Sequence, residues 1–82
     1  MEYKAAIYAY IEKLWKESKM SKRQFALKYN IDERTLRDIL NNNSTYQISL
    51  PTIYRICEVR NIMVSEFFSA VEDEFPEVKM KK

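Results

Sequence analysis

The side chains best suited to chemistry in this sequence are two arginines and two acids within one short segment. They are Glu33, Arg34, Arg37 and Asp38. A guanidinium group forms paired hydrogen bonds with carboxylates, phosphates or the O6 and N7 atoms of guanine, and a carboxylate accepts from the N4 amino group of cytosine. The same spacing allows ion pairs between residues four apart, each worth only about 0.3–0.5 kcal/mol on an exposed helix. These residues therefore predict either a recognition surface or a solvated helix face.

A second candidate site is the basic segment 13–28, which holds six basic side chains and one acid. Lys22 and Arg23 lie where a helix is predicted to begin, and a basic side chain there opposes the helix dipole unless an anion is bound nearby. The alternative is a charged surface that keeps the protein soluble. The net charge is only +2, from 14 basic and 12 acidic residues, so the position of the charges matters more than their sum.

Missing residue types argue against most enzymes. The chain has no histidine, no glycine and one cysteine, Cys57. It therefore lacks an imidazole base, a zinc cluster of the usual ligands, an internal disulfide and any glycine-rich loop for a phosphate or dinucleotide. We expect no catalytic residues, no metal, no cofactor and no small-molecule ligand, and we expect Cys57 to be a buried apolar side chain.

Length and composition predict one small domain. A chain of 82 residues buries only roughly 60–65% of its unfolded surface and cannot divide this into two cores. No apolar run approaches the ~20 residues needed to cross a bilayer, and the first residues do not form a signal peptide. We expect a cytoplasmic protein with no membrane partner, a domain over residues 1–74 and a short charged tail over 75–82.

Apolar residues recur at helical spacing almost throughout, which predicts an all-α fold. Ser21 and Gln24 form a capping-box pattern, and Asn30 is the local residue most tolerant of a left-handed turn. Ser49 is expected to cap a fourth helix that carries Pro51 in its first turn and ends near Asn61. The expected helices cover residues 3–18, 21–29, 32–41, 49–61 and 64–73.

The segment from Met20 to Leu36 resembles the helix-turn-helix of the Cro and phage-repressor (XRE-type) family. Ala26 stands at the family's small residue, Asn30 at its turn glycine and Ile31 at the apolar residue after the turn. The segment 48–68 is similar to the family's fourth helix, turn and fifth helix, so the resemblance covers about residues 7–70. It implies a compact five-helix, lambda-repressor-like DNA-binding domain.

The sequence departs from the family pattern at four positions. Lys19 and Asn30 replace turn glycines, which carries strain where the backbone is left-handed. Trp15 and Leu40 stand where many members have an arginine and a glutamate that pair between the first and third helices. An apolar contact is expected to replace that ion pair here.

The resemblance implies that helix 32–41 enters the major groove of duplex DNA. Base contacts are then expected from Glu33, Arg34, Arg37 and Asp38, with the two arginines reading guanine. The expected phosphate contacts are Lys22, Arg23, Thr35, Asn41, Asn42, Asn43 and Ser44.

One such domain covers half of a binding site, so a homodimer is expected. Phe68, Val71 and Phe75 are the candidate dimer patch, with burial in the core as the alternative, above all for Phe68. The expected role is a small transcriptional regulator, acting as a repressor. The alternative is a protein-interaction or antitoxin-like module on the same fold. A steep dependence of binding on salt would favour DNA.

Overall fold

The computed structural model describes residues 2–41 and 48–78. Within these residues it contains α-helices and a short 3₁₀ turn, with no strand, which confirms the expected all-α class. The helices are α1 (Tyr3–Ser18), α2 (Lys22–Lys28), α3 (Glu33–Leu40), α4 (Leu50–Arg60) and α5 (Val64–Glu74), and Pro76–Val78 forms the 3₁₀ turn. Each helix lies within one or two residues of its predicted bounds.

The first helix, α1, forms the centre of the packing and contacts α2, α3 and α5. Its apolar stripe is buried at Ile7, Ile11 and Leu14, as the spacing predicts. The helix ends at Lys19, whose backbone is left-handed with φ 59°. A residue with a Cβ is strained in this conformation, so Lys19 terminates α1 at an energetic cost.

The turn between α2 and α3 is built by local hydrogen bonds. Ser21 Oγ accepts from the Gln24 N–H at 3.1 Å, and Gln24 Oε1 accepts from the Ser21 N–H at 3.1 Å, which confirms the capping box. Asn30 is left-handed with φ 54°, and the Ile31 N–H donates to the Ala26 carbonyl at 2.9 Å. This geometry changes the direction of the chain over a few residues, and α3 packs against α2.

The core is assembled from all five helices. Ala26 is 2% exposed, and its small side chain permits the close approach of α2 and α3. Cys57 is buried as predicted, and burial raises the pKa of its thiol. Full burial of a large apolar side chain, such as leucine, isoleucine or phenylalanine, stabilises the fold by roughly 1.5–3 kcal/mol. The largest fully buried side chains are Phe25, Phe67, Ile11, Leu36, Ile39, Ile56, Val71 and Cys57.

Two buried valines lie in the C-terminal part of the fold. Val78 belongs to the 3₁₀ turn and is buried, although it falls in the predicted charged tail 75–82, and Val71 on α5 has no exposed surface. These side chains are removed from water where α5 packs against α1 and the 3₁₀ turn packs against α5. The domain bounds and the dimer patch stay predictions.

Polar side chains also join α1 to α5 at two points. The Tyr3 hydroxyl donates to Glu72 Oε2 at 2.8 Å, and Lys13 Nζ lies 2.6 Å from Glu74 Oε1. Burial, followed by the hydrogen bond from Tyr3 to Glu72, raises the pKa of Tyr3 to about 12. These contacts hold the two ends of the described chain together.

Candidate nucleic-acid interface

The outward face of α3 is fixed by the residues that the same helix buries. Leu36 and Ile39 are 0% and 1% exposed. Residues three and four apart share a face, so Arg34 and Arg37 lie on the opposite side, and both are exposed. Neither guanidinium group lies beneath another part of the described chain.

One of the two possible ion pairs on α3 is formed. Arg37 Nη2 lies 3.2 Å from Glu33 Oε2, and the two side chains are 55% and 41% exposed. An exposed pair of this kind contributes about 0.3–0.5 kcal/mol, so a better partner can displace it. Arg34 and the half-buried Asp38 form no ion pair within the described residues.

The helix begins with a cap that leaves its first turn accessible. Asp32 Oδ1 accepts from the Arg34 N–H at 2.8 Å, which satisfies one backbone donor at the N-terminus of α3. Because the Asp32 carboxylate accepts a hydrogen bond from the backbone, it is not an ion-pair partner of the outward side chains of the helix. The cap therefore fixes the direction in which the N-terminal residues of α3 project.

The start of α2 places basic side chains beside α1. Lys22 Nζ lies 5.6 Å from the centre of the Trp15 ring, a cation–π distance, while Arg23 is exposed. Trp15 Nε1 is buried and has no hydrogen-bond partner among the described residues. Sequence reasoning missed the link between Trp15 and Lys22, because the two residues lie on different helices.

Only some of the remaining predicted phosphate contacts lie within the described residues. Thr35 is half-buried, and Asn41 is exposed at the C-terminal end of α3. Asn42, Asn43 and Ser44 lie outside the described residues. No phosphate role is assigned to these five positions by the geometry alone, and each stays a prediction.

The other two residues of the predicted dimer patch are partly buried. The ring centre of Phe68 lies 6.1 Å from that of Tyr3 and 5.6 Å from that of Phe67. Phe75 is also half-buried against the core. Both rings keep part of their surface exposed, so the dimer patch stays a prediction.

A metal cluster and a membrane-spanning helix are both absent from the described parts of the chain. Residues 2–41 and 48–78 contain no group of three side chains suited to hold a metal ion. In the same residues, no helix combines the length and apolar character required to traverse a bilayer.

The chain matches one family model. The model describes a Cro/C1-type helix-turn-helix DNA-binding domain, and the match covers residues 10–73. It includes α2, the turn at Asn30, α3, α4 and nearly all of α5. Neither curated proteins nor solved structures gave a match to the chain.

Proposed function

This chain belongs to the Cro/C1-type helix-turn-helix DNA-binding family, and we propose that it represses transcription by reading a specific duplex sequence with α3. The observation that carries the proposal is the exposure of Arg34 and Arg37 on the face of α3 that the core leaves outward. In this fold the second helix of the motif lies in the major groove, with its N-terminal residues against base edges.

The two arginines are the proposed readers of guanine. A guanidinium group that bonds guanine O6 and N7 together provides about 1–3 kcal/mol of discrimination against other bases. For Arg37 this exceeds the cost of releasing Glu33, which is about 0.3–0.5 kcal/mol. Arg34 has no ion pair to release within the described chain, so it retains more of the gain.

The acids on the same face favour specific over indiscriminate binding. Glu33 and Asp38 repel phosphates, but each can accept a hydrogen bond from cytosine N4. A duplex that offers the right bases satisfies these carboxylates, whereas an arbitrary duplex leaves them near the backbone without a donor. The acids thereby penalise the wrong sequence.

Contacts with phosphates position α3 on the duplex. Lys22 and Arg23 are the proposed contacts at the start of α2, and Thr35 and Asn41 at α3, together with Asn42, Asn43 and Ser44. The Trp15 ring limits the positions that the Lys22 ammonium adopts, since the cation is attracted to the ring face. Such contacts carry no sequence information, but they orient the reading helix.

Two copies of the domain would occupy one operator. Each copy reads a half-site, and half-sites read by a symmetric dimer lie about one helical turn apart, or roughly 34 Å. A protein bound across such a site blocks access by other proteins, which is the proposed basis of repression.

Selection of binding sites from random duplexes tests this function. We expect an inverted repeat that contains guanine in each half, and an affinity that falls about tens- to thousands-fold between 50 and 200 mM salt. Absence of an enriched sequence would refute specific recognition. A flat salt response would favour a protein partner on α3, which is the alternative function for this fold.

A further inference from the structure

Three residues of the described chain have a left-handed backbone, and one of them is of an unfavourable type. They are Lys19, Asn30 and Asn61, with φ of 59°, 54° and 56°. Asparagine accepts this conformation because its short polar side chain can form local hydrogen bonds, whereas lysine has no such compensation. Glycine would carry the least strain after the end of α1. Lys19 is therefore held against the preference of its own backbone.

The Lys19 side chain gains nothing from the described fold that offsets this strain. It is exposed, and it forms no ion pair or side-chain hydrogen bond within the described residues. The Lys19 N–H donates to the Lys16 carbonyl at 3.3 Å, but glycine would form this backbone bond equally well. A cation does suit the C-terminal end of a helix, and Lys16 already supplies one in the last turn of α1. Strain without a structural benefit is typical of functional positions.

Lys19 lies close to a proposed phosphate contact. The turn from α1 to α2 is fixed by Ser18, whose Oγ accepts from the Met20 N–H at 3.2 Å. Lys22 returns to the ring of Trp15, which lies one helical turn before Lys19, with Nζ 5.6 Å from the ring centre. The three residues from Lys19 to Lys22 span at most about 10–11 Å. That length of duplex carries about six phosphate charges, so both ammonium groups can meet phosphates of one stretch.

The charge around this turn is predominantly positive. Residues 15–23 contain the bases Lys16, Lys19, Lys22 and Arg23 and the acid Glu17. Lys16 Nζ lies 3.9 Å from Glu12 Oε1, whereas Lys19 has no acidic partner among the described residues. Neighbouring cations repel one another and attract a polyanion. A phosphate beside Lys19 would therefore relieve repulsion within the fold as well as bind the duplex.

We propose that Lys19 is an additional contact with a backbone phosphate of duplex DNA, made from a turn position that glycine would hold with less strain. The inference rests on the proposed docking of α3 for the side of the domain that faces the duplex. It goes beyond that docking because the family pattern has glycine at this position, and glycine has no side chain with which to bind a phosphate.

Lys19→Asn tests the contact, because asparagine removes the charge and accepts the left-handed backbone. One phosphate contact contributes about 0.9 to the slope of log affinity against log salt, or about 8-fold in affinity at roughly 100 mM relative to 1 M salt. We therefore expect Lys19→Asn to weaken binding about 5- to 10-fold on any duplex and to lower the slope by about one. The same variant should raise Tm, so partial unfolding cannot be the cause of the weaker binding.

Two further variants separate a phosphate contact from a change in net charge. Lys19→Arg keeps the cation and should bind within about 2-fold of the wild type with the same slope. Lys28→Gln is the matched control, because Lys28 is exposed at the other end of α2 and also has no acidic partner in the described chain. It removes one positive charge and should weaken binding less than about 2-fold, since salt screens exposed charges beyond about 10 Å.

Fluorescence anisotropy between 50 and 200 mM salt, with a selected and a scrambled duplex, measures these effects. An unchanged affinity and slope in Lys19→Asn would overturn the inference, as would equal losses in Lys19→Asn and Lys19→Arg or in Lys19→Asn and Lys28→Gln. Failure of the proposed function differs, because a phosphate contact is independent of sequence and would still be measured on the scrambled duplex if no specific sequence were found. A wild-type chain that bound no duplex would overturn both.

Discussion

The sharpest test of the proposed mechanism compares Arg34→Ala and Arg37→Ala on a selected duplex and on a scrambled one. Each arginine should contribute about 1–3 kcal/mol through paired bonds to guanine. Arg37 must first leave Glu33, 3.2 Å away, at a cost of about 0.3–0.5 kcal/mol, whereas Arg34 has no such partner in the described chain. We therefore expect a loss of about 5- to 150-fold for Arg34→Ala on the selected duplex and a somewhat smaller loss for Arg37→Ala.

Lys22→Ala is the matched comparison, because it also removes one positive charge but at a proposed phosphate contact. It should weaken binding to both duplexes by the same factor and lower the slope of log affinity against log salt by about one. The arginine variants should change the ratio of the affinities for the selected and the scrambled duplex, since only the selected sequence presents guanine at the right positions.

Fluorescence anisotropy of labelled duplexes at several salt concentrations measures all of these quantities. The assay yields one affinity for each protein, each duplex and each salt concentration. The reasoning is refuted if both arginine variants weaken the selected and scrambled duplexes equally, or leave both unchanged. In either case α3 would not read bases through these side chains.

Three further predictions follow from the described contacts. Lys19→Gly should stabilise the fold by about 1 kcal/mol and raise Tm by about 4–8 °C, because glycine relieves the left-handed strain at the end of α1. Tyr3→Phe should lower stability by about 0.5–1.5 kcal/mol near neutral pH through loss of the bond to Glu72. The Tyr3 pKa is about 12 in the fold and about 10 in the unfolded chain, so this stability difference should shrink as pH rises from 10 to 12. The fluorescence of Trp15, the one tryptophan, should change when duplex draws Lys22 towards a phosphate.

Thermal and urea unfolding decide the first two of these predictions. Lys16→Gly is the control, because Lys16 lies inside α1, and it should lower the free energy of unfolding by about 1 kcal/mol. If glycine stabilised the fold at both Lys16 and Lys19, the strain argument would be contradicted. A difference between wild type and Tyr3→Phe that stays constant from pH 9 to 12 would contradict the link between folding and the tyrosine proton. If the change in Trp15 fluorescence on binding of duplex persisted in Lys22→Ala, the contact between Lys22 and the Trp15 ring would be excluded as its source.

The helices could be predicted from sequence because their signals are local. The capping box at Ser21 and Gln24 joins residues three apart, and Asn30 is one of the few residue types that accept a left-handed backbone. The exposed side of α3 also followed from local spacing, since Leu36 and Ile39 define the buried side. These features need no knowledge of the rest of the fold.

The contacts that sequence reasoning missed join distant parts of the chain. Burial of Val71 depends on where α5 meets α1, and burial of Val78 depends on how the 3₁₀ turn packs against α5. Periodicity within one helix cannot distinguish a core contact from a dimer contact. The exposure of Leu50 and Met63 also depends on how the helices pack in the fold, because the apolar character of a residue does not by itself show whether it is buried. Only the packed arrangement of the helices shows which apolar residues remain exposed.

The orientation of the proposed reading helix is set by the core and by the turn that precedes it. The bond from the Ile31 N–H to the Ala26 carbonyl closes the turn, and Ile31 is itself 6% exposed. Successive residues in an α-helix are separated by about 100° around the axis. One residue inserted after Ile31 would have one of two effects. It would rotate α3 by about this angle, which would remove Leu36 from the core and carry the guanidinium group of Arg34 away from its present position. Or it would make the turn bulge while Leu36 and Arg34 stay in place. The proposed reading of DNA by α3 therefore depends on the turn at the left-handed Asn30, which contains no glycine.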